Sequence, residues 1–163
     1  GLASGNQGII ENCYSDGKIN SNKINYVGGI VGANASGSKI LNCYNKKEVV
    51  GDHGVGGIAG YNEDNAEIEN CYNVGVINGS ETSFCGNIIA LARGKIINCY
   101  YIKSNKNVGS MGSNAGIISS SIVEKSAEEM KDAEIISLLN QGKNIWKKDT
   151  NLKNNGYPIL YWE

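Results

Sequence analysis

Hydrophobic residues recur over residues 1–100 in short groups, separated by glycines and polar residues. One group contains the tripeptide Asn-Cys-Tyr, which begins at spacings of 30, 28 and 28 residues at Asn12, Asn42, Asn70 and Asn98. An isoleucine stands three residues before each cysteine, at Ile10, Ile40, Ile68 and Ile96. Self-similarity at such a period predicts a repeat architecture.

Each repeat carries two further apolar patches. A Gly-Gly block precedes the isoleucine at Val27–Gly32 and Val55–Gly60, and a degenerate copy follows at 86–90. A third patch lies six residues after the cysteine, at Ile19, Val49 and Ile77. No 3.6-residue period runs through this region, which disfavours helical repeats, and a propeller blade needs about 40 residues. Three short strands in each repeat predict one coil of a three-sided solenoid.

Stacked coils of such a solenoid lie about 4.8 Å apart and pair their backbones in parallel, so equivalent residues form columns. Isoleucine over isoleucine would fill the interior, and asparagine over asparagine would form an amide ladder. We therefore expect residues 1–122 to form an all-β, right-handed parallel β-solenoid of about four coils, with an irregular last coil at 105–122.

The last part of the chain, residues 123–163, has a different pattern. Ser126 and Glu129 have the spacing of a capping box, which predicts a helix at about 127–139 with a possible break near Asp132. The apolar run near the end predicts a terminal strand at about 157–162. We expect this segment to cover the open end of the solenoid, since exposed strand edges promote aggregation.

Composition narrows the range of functions. The net charge of −1 argues against nucleic-acid binding, which needs a basic surface to replace counterions. No run of eighteen apolar residues occurs, so the sequence predicts no membrane insertion. The 22 glycines and single proline suit short strands joined by tight turns.

Four cysteines share one column: Cys13, Cys43, Cys71 and Cys99. Neighbouring α-carbons at the coil spacing fall within the range of a disulfide, but parallel side chains suit its dihedral angle poorly. Cysteine also serves as a small buried hydrophobe, so we favour a ladder of thiols. The wide spacing is unlike that of a zinc site. Cys85 lies off the column, and we expect an isolated buried thiol there.

Four tyrosines form a second column: Tyr14, Tyr44, Tyr72 and Tyr100. Facing outward, they would make an aromatic strip able to bind sugar rings or partner side chains. Facing a packed surface, they would form a structural stack, which is the hypothesis we favour. The expected bend at each asparagine disturbs strict alternation, so both orientations stay open at this point.

Catalytic chemistry finds little support. His53 is the only histidine and lies in a glycine-rich turn, so we expect it to be a surface residue rather than a catalytic base. We expect neither a metal nor another cofactor. Asp16, Asp52 and Asp64 are scattered among turns. Glu11 and Glu69 share a column with Leu41 between them, so no carboxylate pair suitable for a polysaccharide-cleaving β-helix is apparent. The chain has two threonines, too few for the regular array of an ice-binding solenoid.

The repeats resemble the GLUG repeat of bacterial surface proteins. Val27–Gly32 with Asn42–Tyr44 and Val55–Gly60 with Asn70–Tyr72 carry the resemblance, and the segment 155–160 is similar to the sequence that often closes GLUG regions. Lys47 and Lys103 replace the family's glycine after the tyrosine in two copies. Such repeats occur in adhesin-like proteins and in immunoglobulin-A-cleaving metalloproteases.

The resemblance implies location and architecture rather than chemistry. We expect a non-catalytic, extracellular structural and binding module of a bacterial surface or secreted protein, with an adhesin-like role. Its partners would be a host protein, a glycan or neighbouring domains of the same chain. An accessory substrate-capture domain of a cell-surface protease or glycosidase is the first alternative, and a degenerate polysaccharide-cleaving β-helix is the second.

Overall fold

The computed structural model describes residues 1–21, 25–80, 84–103, 108–116 and 119–163. Within these ranges the chain winds through four successive coils and continues into an incomplete fifth. The fifth coil contains the region for which the sequence predicts an irregular last coil, although residues 105–107 and 117–118 lie outside the described part. The predicted all-β parallel solenoid of about four coils is confirmed.

The strands are short, as the spacing of apolar groups predicts. The first coil contains β1 (Ala3–Asn6), β2 (Ile9–Glu11), β3 (Tyr14–Ser15) and β4 (Ile19–Ser21). The second contains β5 (Val27–Gly28), β6 (Val31–Asn34), β7 (Lys39–Leu41), β8 (Tyr44–Asn45) and β9 (Val49–Gly51). The third contains β10 (Val55–Gly56), β11 (Ala59–Asn62), β12 (Glu67–Glu69), β13 (Tyr72–Asn73) and β14 (Ile77–Gly79).

Longer strands form the last two coils. The fourth coil contains β15 (Cys85–Ala92) and β16 (Lys95–Tyr101), and the fifth contains β17 (Gly109–Asn114) and β18 (Ser119–Glu124). The solenoid strands therefore reach Glu124, two residues beyond the predicted boundary at 122.

Equivalent strands of successive coils pair in parallel and build three sheets, one for each side of the solenoid. The first sheet joins β1, β6, β11, β15 and β17, and its other half joins β5 and β10 to β15. The second contains β2, β7, β12, β16 and β18 together with β3, β8 and β13, and the third contains β4, β9 and β14. Ile10, Ile40, Ile68 and Ile96 are partners in register across four coils.

Buried isoleucines form the centre of each coil. Ile40, Ile68 and Ile96 have no exposed surface, and they pack with Ile30, Ile58 and Ile88 from the Gly-Gly blocks. A coil alone would leave these residues in water, because its neighbours above and below supply most of their contacts. Burial of the core therefore depends on the stacking of coils.

Asparagine ladders run along the solenoid. The column of Asn12 forms one ladder, in which Asn42, Asn70 and Asn98 each donate a side-chain N–H to the side-chain oxygen of the preceding coil's asparagine, at 3.1, 3.4 and 2.6 Å. Its members have φ angles of 52–53°, which asparagine tolerates better than most residues. These left-handed residues make the bend between the two halves of the second sheet, at Asn12, Asn42, Asn70 and Asn98.

Two further ladders were not predicted. Asn6 donates to Asn34 at 2.8 Å, and Asn34 donates to Asn62 at 2.9 Å. At the corner between the second and third sheets Asn45 donates to Asn73 at 2.8 Å. The remaining N–H groups of Asn34 and Asn62 reach backbone carbonyls, so these fully buried amides are satisfied.

The glycines of the repeat make room for these amides. A β-carbon on Gly57 would lie 2.0 Å from the carbonyl oxygen of Asn87 and 2.5 Å from the amide carbon of Asn73. A β-carbon on Gly29 would likewise lie 2.1 Å from the carbonyl oxygen of Gly57 and 2.6 Å from the amide carbon of Asn45. The Gly-Gly block is therefore required because the ladder amide occupies the space of a side chain.

The C-terminal segment is less helical than predicted. The capping box forms, with Ser126 N–H donating to Glu129 at 2.7 Å and Glu129 N–H donating to the Ser126 hydroxyl at 3.2 Å. It precedes only a 3-10 turn at Glu129–Lys131, because Asp132 is extended and interrupts the helix. The α-helix α1 covers Ala133–Asn140, not 127–139. The terminal strand is also shorter: β20 (Ile159–Leu160) pairs antiparallel with β19 (Trp146–Lys147).

Loss of one ladder amide should destabilise the whole solenoid. We expect Asn34→Ala to lower the free energy of unfolding by about 1–3 kcal/mol, because buried donors and acceptors above and below lose their partner. Asn20→Ala, which changes an exposed asparagine of β4, is the matched control and should cost less than about 0.5 kcal/mol. Urea denaturation of both variants measures the difference. Equal stability of the two variants would contradict the role of the ladder.

Candidate functional site

The tyrosine column lies on the outer side of the second sheet. The left-handed asparagine before each cysteine breaks the alternation, so the cysteines face the core and the tyrosines face outward. The ring centroids of Tyr14 and Tyr44 are 5.0 Å apart, those of Tyr44 and Tyr72 are 4.9 Å apart, and the rings are nearly parallel. Tyr100 is the register partner of Tyr72.

The C-terminal segment packs against this column. Trp146 contacts the rings of Tyr44 and Tyr72, with centroids 5.9 and 5.4 Å apart, and Trp162 stacks on Tyr14 in the first coil at 5.9 Å. Apolar residues of the turn, the helix and the two short strands complete the cluster: Met130, Ile135, Leu139 and Leu160. We call residues 126–163 the strap, because they run back from the last coil to the first along one side.

Polar groups fasten the strap to the tyrosines. The Tyr44 hydroxyl donates to the Glu163 carboxylate, whose oxygens lie 2.9 and 3.0 Å away. The Tyr72 hydroxyl donates to the Pro158 carbonyl and accepts a hydrogen bond from the Asn154 side chain at 2.7 Å. Burial raises the pKa of both tyrosines, and the acceptor Glu163 raises that of Tyr44 further.

A carboxylate shapes the strap itself. The Asp149 side chain accepts backbone N–H groups of Lys153, Asn154 and Gly156 at 2.7–3.0 Å. Burial acts to raise the pKa of Asp149, but these donors together outweigh it and the pKa is lowered. Asp149 thereby holds the turn that presents Asn154 to Tyr72.

Two expectations need correction here. The C-terminal segment does not close the end of the solenoid; it covers the lateral face, where its apolar residues pack on the tyrosine column. The aromatic strip predicted as a possible binding surface is consequently covered: Tyr44 and Tyr72 are fully buried and Tyr100 is 5% exposed. Tyr14 is partly buried beneath Trp162. Tyr14, Tyr44 and Tyr72 form a stack of rings, and Tyr100 belongs to the same buried cluster.

The column cysteines are thiols without disulfides. Each sulfur donates to the carbonyl two residues earlier, at 3.1 Å for Cys13 and Cys43, 3.2 Å for Cys71 and 3.4 Å for Cys99. Burial raises the pKa of Cys71 well above its usual range, which disfavours a reactive thiolate. Cys85 lies elsewhere, buried in register with Val55.

Charged side chains mostly pair between coils on the surface. Lys18 lies 2.6 Å from Glu48, Lys39 lies 3.3 Å from Glu67, and Arg93 lies 3.7 Å from Asp64. Leu41 separates Glu11 from Glu69 in register, as expected. His53 is exposed in a turn, also as expected.

One pair of neighbouring carboxylates was not predicted from the sequence. Glu67 and Glu69 lie two residues apart on β12 and therefore face the same side of the strand. Burial raises the pKa of Glu69, and a hydrogen bond with Glu67 raises it further. Lys39 pairs with Glu67, and the Asn70 amide donates to Glu69 at 3.3 Å. The period-two spacing of these acids on a strand is the sequence pattern that could have identified them.

Residues 51–78 match the family model of the GLUG motif. The chain contains a GLUG motif. The matched residues run from the end of β9 into β14, so one motif corresponds to one full coil. This correspondence explains the period: 28 residues are the length that returns the backbone to the same corner of the solenoid.

A solved structure resembles the chain over most of its length. The crystal structure of a candidate immunoglobulin A1 protease from Bacteroides ovatus superposes with a TM-score of 0.68 at 29% identity. The match covers 95% of this chain and 48% of that one, so the chain spans about half the length of that protein. No curated protein matches the chain significantly.

GLUG repeats occur in bacterial surface or secreted proteins, and the two resemblances together indicate an extracellular protein module. Among the residues that the structure describes, no three histidine, cysteine or acidic side chains are placed to share a metal ion. The described helices are also too short to cross a bilayer.

The two tryptophans provide a matched test of the strap. Trp146 is 3% exposed and Trp162 is 53% exposed. We expect Trp146→Ala to lower the free energy of unfolding by about 3–5 kcal/mol, because removal of the indole leaves a cavity between the strap and the rings of Tyr44 and Tyr72. Trp162→Ala should cost about 1 kcal/mol or less. Comparable losses in denaturation experiments would mean that the strap does not pack as described.

Titration of Tyr44 should loosen the strap at high pH. Its raised pKa means that the folded protein retains the phenol proton where the unfolded chain releases it, so stability is full below about pH 10 and falls above it. The stability difference between wild type and Tyr44→Phe should therefore shrink by about 1.4 kcal/mol per pH unit above about pH 10. Urea denaturation between about pH 8 and pH 11 measures it. A difference that is constant with pH would be inconsistent with a buried Tyr44.

Proposed function

We propose that this chain is a non-catalytic structural and binding module, with an adhesin-like role, in a secreted or surface-attached bacterial protein. The observation that carries this proposal is the use of the conspicuous repeated side chains. The asparagine, cysteine and tyrosine columns all hold coils or the strap together. The repeat thus maintains a shape.

A shape of this kind suits presentation. Five coil levels at about 4.8 Å give a body on the order of 20 Å long, with asparagine ladders running along it. The strap crosses several coils and joins them laterally, from Asn98, which donates to the Leu138 carbonyl at 2.7 Å, to Tyr14. Such a body would hold a neighbouring domain away from the cell, or offer a face to a host protein or glycan.

The similarity to a candidate immunoglobulin A1 protease supports a second function, an accessory module that helps such an enzyme capture its substrate. In that case the module would bind immunoglobulin A1 without cutting it. The two functions share the non-catalytic role and differ in the partner.

Catalysis by the module itself has one structural argument, the Glu67–Glu69 pair. Glycoside hydrolysis requires two carboxylates on either side of a bound sugar. Glu67 and Glu69 instead project side by side from one strand, and Lys39 forms an ion pair with Glu67. This arrangement favours a surface ion pair over an acid and a nucleophile.

Incubation with immunoglobulin A1 and with polysaccharides tests the proposal. We expect intact mass of the immunoglobulin and no new reducing ends, and we expect Glu69→Gln to behave as wild type. Turnover that Glu69→Gln abolishes would contradict the non-catalytic assignment. Saturable binding of immunoglobulin A1 without cleavage, measured by surface plasmon resonance, would favour the accessory role over the adhesin-like one.

A further inference from the structure

A groove opens on the surface beside the first sheet, away from the strap. Its volume is about 270 Å³, and it is lined by Asn25, Tyr26, His53, Gly54, Phe84 and Leu91. Tyr26 is 37% exposed and Phe84 is 44% exposed, whereas Tyr44, Tyr72 and Tyr100 of the column are buried. Exposed aromatic residues around a concavity are typical of binding sites.

Coil stacking creates this groove. Val27, Val55 and Cys85 are register partners, so the residues that precede them, Tyr26, Gly54 and Phe84, form one column. The middle position cannot carry a side chain: Gly54 has a φ of +58°, and a β-carbon there would lie 2.2 Å from the Asn25 carbonyl oxygen. The Tyr26 ring covers the Gly54 backbone, with its Cδ1 atom 2.7 Å from the place of that β-carbon. The groove therefore lies between the Tyr26 ring and Phe84, whose backbones are two coil spacings or about 10 Å apart.

A second pair of residues supports the walls. Tyr26 stacks on Tyr61, with centroids 5.1 Å apart and ring planes at 26°. Leu91, the register partner of Tyr61 in the next coil, lines the groove on the side of Phe84. The stacked pair limits rotation of the Tyr26 ring, so one wall of the groove is oriented before any ligand arrives.

Size and charge restrict the ligand. The lining residues that the structure describes include no lysine, arginine, aspartate or glutamate, and two of them are exposed aromatic rings. This lining favours a neutral ligand with an apolar face. A stable protein interface buries roughly 800 Å² on each partner, far more than this groove presents. The volume suits a single six-membered ring.

We propose that this groove binds one neutral pyranose ring of a glycan. The C–H face of the sugar would lie on the electron-rich faces of Tyr26 and Phe84, and its hydroxyls would reach the Asn25 amide and the Tyr26 hydroxyl at the rim. The inference rests on the binding role proposed above and names its ligand class. A free aromatic ring is the competing occupant, and the experiment separates the two.

Saturation-transfer NMR with methyl glucoside, methyl galactoside, methyl mannoside and methyl N-acetylglucosaminide tests the groove. We expect saturable binding of at least one sugar, with a dissociation constant on the order of a millimolar. Phe84→Ala and Phe84→Leu should each weaken it about tenfold, because both remove the aromatic face. Tyr161→Ala, which removes a ring that is 60% exposed on the strap, should bind as wild type.

Three results would overturn the proposal: no saturable binding of any pyranoside, equal binding by wild type and Phe84→Ala, or tighter binding of phenol than of every sugar. Circular dichroism verifies that each variant is folded. Capture of a host glycoprotein that does not depend on Phe84 would refute the groove and leave the proposed binding module intact.

Discussion

Hydrogen bonding between buried asparagine amides of successive coils is the interaction on which this structure depends. An amide without a partner in the core costs on the order of 1–3 kcal/mol, and in the ladders the asparagine of the next coil supplies that partner when it lies directly above. That requirement sets the register of all three sheets at once. Isoleucines, cysteines and tyrosines then stack because they are attached to the same backbone, and a shift by one residue would disrupt every column.

The strap follows from the same geometry. Left-handed asparagines turn the cysteines into the core and the tyrosines outward, which produces an apolar surface that crosses several coils. A segment that covers this surface bonds successive coils from outside, as the ladders do from inside. Tyr44 and Tyr72 connect the two systems, since each stacks within the column and also bonds to the strap through its hydroxyl.

Columns were predictable from the sequence wherever a distinctive residue repeats. The repeated Asn-Cys-Tyr predicted the position of one ladder, and the isoleucine three residues before each cysteine predicted the core. The ladders at Asn34 and Asn45 escaped notice because asparagine is also common in loops, although Asn62 and Asn73 lie 28 residues further on. The lateral position of the strap depends on contacts between residues more than 80 positions apart, such as Tyr72 with Asn154, which no local pattern reveals.

NMR of the asparagine side chains tests the central claim most directly. In-register stacking predicts slow exchange of the Asn34 and Asn62 side-chain amide protons with solvent. It also predicts a nuclear Overhauser effect between these two amides, because Asn34 Nδ2 lies 2.9 Å from Asn62 Oδ1 although the residues are 28 positions apart in sequence. Exchange as fast as that of the exposed Asn20, with no effect between Asn34 and Asn62, would contradict it.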